Sequence, residues 1–259
     1  MMATDRWSDL RTRILSAVIL IAIGLAGLWA GGPFFVALVS VVCGVIVWEA
    51  AMLHAARYPL LLATLSGLGL ATCTLLPALV IAPLMLALGC FAAAQTEAHK
   101  ARFGLMVGWV LLGAFSMLLM RTGVGMNWIV WLIIVVVATD IAGYFAGRYL
   151  GGPKFWPAVS PKKTWSGTIA GWLIAGLVGI VMMPVLDWGW SLVPISVAVS
   201  FAGQLGDIAE SALKRRIGVK DSSRLIPGHG GVFDRFDAML GASTAAFGFK
   251  AFGLLPGLG

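Results

Sequence analysis

The chain has 259 residues, of which 60% are hydrophobic and 11% charged, and its formal net charge is +7. A single soluble core cannot hide that much apolar surface, so the composition excludes a soluble globular domain and points to membrane-spanning helices of about 20 residues each. The positive balance reads as topology, since Lys and Arg collect in cytoplasmic loops, and no nucleic-acid partner is expected.

In chain order, apolar runs fall at about 14–30, 34–53, 59–76, 78–94, 105–120, 128–146, 168–186, 191–210 and 239–256. They predict an all-α, polytopic integral membrane protein of about nine spans. The first run follows Arg6, Arg11 and Arg13 and leads into further spans, so it reads as a start-transfer helix. The runs either side of Pro77 read as two spans or as one kinked or re-entrant segment. Cys43, Cys73 and Cys90 lie in apolar runs without CxxC spacing and read as small core residues. Trp29, Trp128, Trp188 and Trp190 lie near span ends, as an interfacial belt requires. Trp165 reads as an anchor, and His54 and His99 as solvated.

With the N-terminus in the cytoplasm, nine spans place 16 of the 18 Lys and Arg residues on the cytoplasmic side; Arg121 falls outside and Lys250 within the last span. The expected organisation is a set of about four N-terminal membrane helices over 1–104 and a catalytic membrane domain over 105–259, with a polar active site at the cytoplasmic face.

Two cytoplasmic segments concentrate the charge. One is DIAGYFAGRYLGGPKFWPAVSPKKTWSG, Asp140 to Gly167; the other is GQLGDIAESALKRRIGVKDSSRLIPGHGGVFDRFD, Gly203 to Asp237. Each starts with an acid near the end of an apolar helix and runs into a basic loop marked by Gly and Pro. An acid inside a span is costly and signals function, which singles out Asp140 and Asp207. Asp207, Glu210, Asp221, Asp234 and Asp237 follow one another closely, and Asp234 and Asp237 share a helix face. Hard oxygen donors of this kind suit magnesium, which takes one or two carboxylates and fills its other positions with water and phosphate oxygens; a two-metal site would use more of the acids. Lys162, Lys163, Lys214, Arg215, Arg216, Lys220, Arg224 and Arg235 are interleaved with these acids and can hold phosphate. In PGHGG, residues 227–231, glycines let the backbone approach an anion, and His229 can donate to a phosphate. Taken alone, the residues describe phosphoryl or nucleotidyl transfer to a lipid.

The stretch from Ser211 to Asp237 resembles the signature of the phosphatidate cytidylyltransferases, or CDP-diacylglycerol synthases. That pattern runs S-x-hydrophobic-K-R, four residues, K-D, x, a small residue, then hydrophobic-P-x-H-G-G and x-x-D-R-x-D. Ser211, Leu213, Lys214, Arg215, Lys220, Asp221, Ser223, Ile226, Pro227, His229, Gly230, Gly231, Asp234, Arg235 and Asp237 occupy its positions. GDIAES, SPKKTWSG and DIAGYFAGR also resemble family segments, so the likeness covers the C-terminal half; the first 100 or so residues match only in being hydrophobic. Departures are Ser166 where Glu is frequent, Ser223 where Gly is, and Ala238 where Ser is.

The resemblance implies the reaction of CTP with phosphatidic acid to give CDP-diacylglycerol and pyrophosphate, in phospholipid biosynthesis at the lipid bilayer. It implies Mg2+, as one or two ions, with a monovalent cation as a further candidate, and it suggests a homodimer. A bacterial inner-membrane location fits, with the N-terminus and active site cytoplasmic. Asp207 and Asp234 are the implied main metal ligands, with Asp237 in support and Asp221 and Asp140 as further acids. Lys214, Arg215, Lys220 and Arg235 are the expected holders of CTP phosphates or pyrophosphate. Lys162 and Lys163 are expected at the phosphatidate headgroup or the triphosphate, with Ser211, His229, Gly230 and Gly231 shaping the binding loop. Rival readings are a transporter for a phosphorylated solute, a CTP-using polyprenol kinase and a CDP-archaeol synthase.

Overall fold

The computed structural model describes residues 2–97 and 99–255, with side chains from residue 11 onward. The Arg6 side chain and the end of the last predicted run, at residue 256, lie outside the described residues. Among the described residues there are nine α-helices: α1 (Met2–Ala30), α2 (Gly32–Leu53), α3 (Pro59–Thr72), α4 (Ala78–Ala94), α5 (Lys100–Leu119), α6 (Met126–Tyr149), α7 (Trp165–Leu186), α8 (Leu192–Ile217) and α9 (Phe233–Ala251). Each predicted run overlaps one of them, and the runs 59–76 and 239–256 extend past the ends of α3 and α9. The protein is an all-α, polytopic integral membrane protein, and α1, α2, α5, α6, α7 and α8 are long and apolar enough to cross a bilayer.

The Pro77 region resolves into two helices. Pro59 opens the first turn of α3, where its missing N–H is no loss, and Pro77 caps α4. At 14 and 17 residues they reach about 21 and 25 Å, against a hydrocarbon core of about 30 Å. Between α6 and α7, where only a loop was expected, Lys154–Trp156 (β1) and Ser160–Thr164 (β2) pair as an antiparallel hairpin, with Lys154 opposite Thr164.

The chain forms two compact units. One comprises Met1–Leu118 with Val219–Arg235; the other comprises Leu119–Gly218 with the residues from Phe236 onward. In the first unit, helices meet at small residues. A Cβ on Gly67 would lie 2.9 Å from the Ser40 carbonyl of α2, and one on Gly104 would lie 2.7 Å from the Gly89 carbonyl of α4. Such contacts let membrane helices pack where the hydrophobic effect offers no preference between helix and lipid. In the second unit, α6 and α8 are tied inside the core by hydroxyls: Trp131 Nε1 donates to Ser196 Oγ at 2.9 Å, and Thr139 Oγ1 to Ser200 Oγ at 2.8 Å. α8 ends at Gly218, whose φ of 81° is the left-handed conformation that stops a helix.

Three readings of single residues are corrected. Trp128 is buried and packs edge-on against Trp131 and Trp188, so it belongs to the core; Trp29 and Trp190 are exposed, as a belt requires. His54 is buried: Nδ1 donates to the Ala50 carbonyl, and the ring stacks on Phe103. Cys90 is exposed, while Cys43 and Cys73 are buried.

Candidate active site

The second unit holds a cavity of about 590 Å³ between α6, β2, α7 and α8. Asp140, Tyr144 and Arg148 reach it from α6, Lys162 and Lys163 from β2, and Gln204 and Asp207 from α8. The hairpin gives β2 its place. Thr164 ends the strand and caps α7, its hydroxyl accepting the Gly167 N–H at 3.3 Å. Ser166 bonds the Gly151 carbonyl. The absent side chain of Gly167 lets α6 and α7 close up, since a Cβ there would lie 2.6 Å from the Gly143 carbonyl.

Lys163 is then held on both sides of its ammonium. It pairs with Asp207 Oδ2 at 2.6 Å and donates to the Gln204 carbonyl at 3.3 Å. Gln204 is itself fixed, donating to the Thr168 carbonyl and accepting from Trp172 Nε1. The other oxygen of Asp207 accepts from Ser211 at 3.2 Å. One turn further along α8, Glu210 and Lys214 form a buried pair at 2.6 Å.

Asp237 of α9 belongs to the same unit. Gly206 and Gly241 have no side chains where α8 and α9 cross, and a Cβ on either would collide with backbone of the facing helix. Burial pushes the Asp237 carboxyl up to about 7; the neighbouring Asp207 and Asp140 carboxylates add to the rise, and Lys214 opposes it. Two interacting carboxylates in a partly dry setting call for a proton or a cation between them. Among the described residues, no three His, Cys, Asp or Glu side chains gather into a closed metal cage. Asp207 and Asp237 instead offer the two hard oxygen donors that suit a magnesium ion completed by water and phosphate oxygens.

The loop part of the signature, Val219–Arg235, lies in the first unit and is organised by two acids. Asp234 accepts the Ser222 N–H at 2.9 Å, the Ser222 hydroxyl at 3.0 Å and the Gly231 N–H at 2.7 Å. Glu49, completely buried on α2, accepts the Ser223 hydroxyl at 2.6 Å, the Ser222 hydroxyl at 3.2 Å, the Val232 N–H at 2.9 Å and the Phe233 N–H at 2.7 Å. The PGHGG turn closes through Ile226 N–H to the Gly230 carbonyl and His229 N–H to the Ile226 carbonyl. Gly230 has φ 82°, and a Cβ on it would lie 2.7 Å from Asp234 Oδ2. From α1, Ser16 Oγ lies 2.9 Å from His229 Nδ1 and 3.1 Å from the Pro227 carbonyl.

The second unit thus gathers Lys162, Lys163, Asp207, Ser211, Lys214 and Asp237, with Arg215 exposed at the end of α8. The first gathers Lys220, Asp221, His229, Gly230, Gly231, Asp234 and Arg235; of these Lys220, Asp221 and Arg235 are exposed. Sequence reasoning missed Glu49 altogether. Its signal was present: it is an acid inside the apolar run IVWEAAML, the same criterion that selected Asp140 and Asp207. Gln204 and Thr164 had no comparable signal, because a neutral side chain declares a role only through its partners.

The sequence profile of the Cytidylyltransferase family matches residues 11–252. The chain is 37% identical over 260 residues to the phosphatidate cytidylyltransferase of Brucella suis biovar 1, covering 94% of each chain. It is 36% identical, with the same coverage, to that of Brucella abortus biovar 1. The phosphatidate cytidylyltransferase of Staphylococcus haemolyticus is 44% identical over 119 residues, 45% of this chain and 46% of its own.

Proposed function

The chain belongs to the cytidylyltransferase family, and from that premise we propose that it transfers the cytidylyl group of CTP to phosphatidic acid, giving CDP-diacylglycerol and pyrophosphate. The observation that supports this most is the cavity in the second unit. It is a cavity in an apolar helical body whose lining includes the charged residues Arg148, Lys162, Lys163, Asp140 and Asp207. A chamber of that kind suits a reaction that brings a polyanion from water to an anionic lipid headgroup.

In this reaction a phosphatidate oxygen attacks the α-phosphorus of CTP. The new P–O bond forms as the bond to the β-phosphate oxygen breaks, and pyrophosphate leaves with that electron pair. The nucleophile is already ionised near neutral pH, so no general base is needed. The barrier is mainly repulsion between anions together with alignment, which preorganised cations relieve. Lys162 and Lys163 hold phosphate oxygens of the headgroup or the triphosphate, and Lys163 also fixes Asp207. In the second unit Lys214, paired with Glu210, and the exposed Arg215 are assigned to phosphates of CTP or pyrophosphate; in the first unit Lys220 and Arg235 are exposed charges of the loop, and His229 supports the loop contacts with Gly230 and Gly231.

We assign magnesium to Asp207 and Asp237. Magnesium, when bound, neutralises phosphate charge and draws the reacting oxygens into line. Asp234, also expected at the metal, is engaged by three donors of its own loop, and we assign it the shaping of that loop. A second metal, a monovalent cation and a homodimer remain part of the proposal through family resemblance alone. So does an inner-membrane location with a cytoplasmic site. Residues 105–259 are taken as the catalytic part.

The test uses purified protein in detergent–lipid micelles with phosphatidic acid, magnesium and CTP labelled at the α-phosphate, beside EDTA and no-lipid controls. Label entering lipid with release of pyrophosphate is the expected result. Label recovered as soluble CDP would favour a lipid kinase, and CTP left intact with every lipid would favour a transporter.

A further inference from the structure

We propose that Glu49, on the second helix of the chain, is a positioning residue that latches the signature loop into its working shape; the inference rests on the reading of that loop as phosphate-binding. A carboxylate completely buried in a membrane helix, as Glu49 is, is costly unless it is compensated. Among the described residues, the hydrogen bonds that Glu49 accepts from other segments come from one stretch more than 170 positions away in sequence.

The four donors lie at the two ends of the loop. The hydroxyls of Ser222 and Ser223 stand at its entry, and the N–H groups of Val232 and Phe233 stand at its exit. The exit donors stand at the start of α9, Val232 just before it and Phe233 as its first residue, where a helix presents partial positive charge and favours an anion. Glu49 therefore closes a ring around residues 224–231, the turn that carries His229 and Gly230. Gly231 makes the approach possible, because a Cβ there would lie 2.6 and 2.8 Å from the two Glu49 oxygens. Ser222 has one hydroxyl proton within reach of both Glu49 and Asp234, so the two acids share a single clasp. Ser223, which departs from the glycine frequent in the resembled family, makes the shortest of these contacts and gives the latch an extra donor.

Glu49→Gln keeps the size of the side chain but replaces one acceptor oxygen with an NH2 group, which cannot receive a backbone N–H. The first readout is hydrogen exchange of the substrate-free protein in micelles. Amides of 219–233 are expected to exchange about tenfold faster, the scale of one lost charge-assisted hydrogen bond, with the helical spans unchanged. The second is kinetic: turnover with CTP and phosphatidic acid is expected to fall about 100-fold, the scale of a small misplacement of reacting groups. Ser223→Ala is expected to give smaller effects of the same kind and to add nothing to Glu49→Gln, because its hydroxyl acts through Glu49. If Glu49→Gln does not fold, Ser223→Ala alone decides by the same exchange readout.

Unchanged exchange at 219–233, additive effects of the two substitutions, or wild-type turnover in Glu49→Gln would each overturn the proposal. If the loop loosens as expected but the wild-type protein does not use CTP and phosphatidic acid, the latch stands and the proposed reaction falls.

Discussion

Asp207 meets both a cation and a second acid. Lys163 neutralises it at 2.6 Å, and the same lysine is anchored by the Gln204 carbonyl. Lys163→Ala is expected to lower cytidylyl transfer about 100-fold, as loss of one preorganised charge contact does elsewhere. Lys163→Arg should restore little, because a planar fork cannot replace a point charge seated between a carboxylate and a carbonyl. Steady-state kinetics on the two variants measure this, and full activity in Lys163→Arg would show that only net charge matters there.

Asp237 makes a pH prediction. The metal-free folded chain keeps its proton up to about 7, whereas an unfolded aspartate loses it near 3.8. The folded state binds the extra proton between those values, so the stability this group contributes is present at acid pH and is lost as pH rises through about 7. Metal-free wild type should therefore lose thermal stability relative to Asp237→Asn between pH 4.5 and pH 8. Denaturation scans of the two proteins at both pH values give the difference directly, and a gap independent of pH would mean that Asp237 titrates normally.

At the scale of elements, the site depends on how closely helices approach. α8 and α9 cross at Gly203, Gly206 and Gly241, and this crossing sets Asp237 where the Asp207 carboxylate acts on it. Gly206→Ala places a methyl group on the Asp237 carbonyl. It is expected to cost about 1–3 kcal/mol in stability by overpacking, with a larger proportional loss of activity. Melting temperature and turnover measured on the same preparation check both parts; a stable, active variant would show that the crossing is not tight. The β1–β2 hairpin has a parallel role for Lys162 and Lys163, since it ends on the Thr164 cap of α7 and so ties the lysines to a helix start.

At the scale of the whole molecule, the proposed topology puts both charged segments on the cytoplasmic side. A cysteine at Arg224, in a protein whose exposed Cys90 is replaced by Ser, should react with an impermeant thiol reagent in inside-out vesicles and not in intact cells. A cysteine at Trp190 should do the reverse. Equal labelling of both positions from one side would refute the arrangement.

The nine helices among the described residues were legible as apolar runs, because a bilayer demands apolar segments, and that demand is written residue by residue along the chain. The charged signature was legible for the complementary reason: polar groups are so costly in this setting that their concentration from Asp140 to Asp237 stands out. The same rule marked Glu49, which lay in the half of the chain that appeared merely hydrophobic. Its partners could not be read, because hydrogen bonds between residues 49 and 233 leave no local pattern. Nor could the sequence divide labour among the acids. Spacing alone put Asp234 and Asp237 on one helix face, whereas folding gave Asp234 three donors from its own loop and left Asp237 under the influence of Asp207. Local chemistry and periodicity determined which residues are polar and which helices exist. Only tertiary structure, through packing that brings distant donors and charges within a few ångströms, decided what each acid touches.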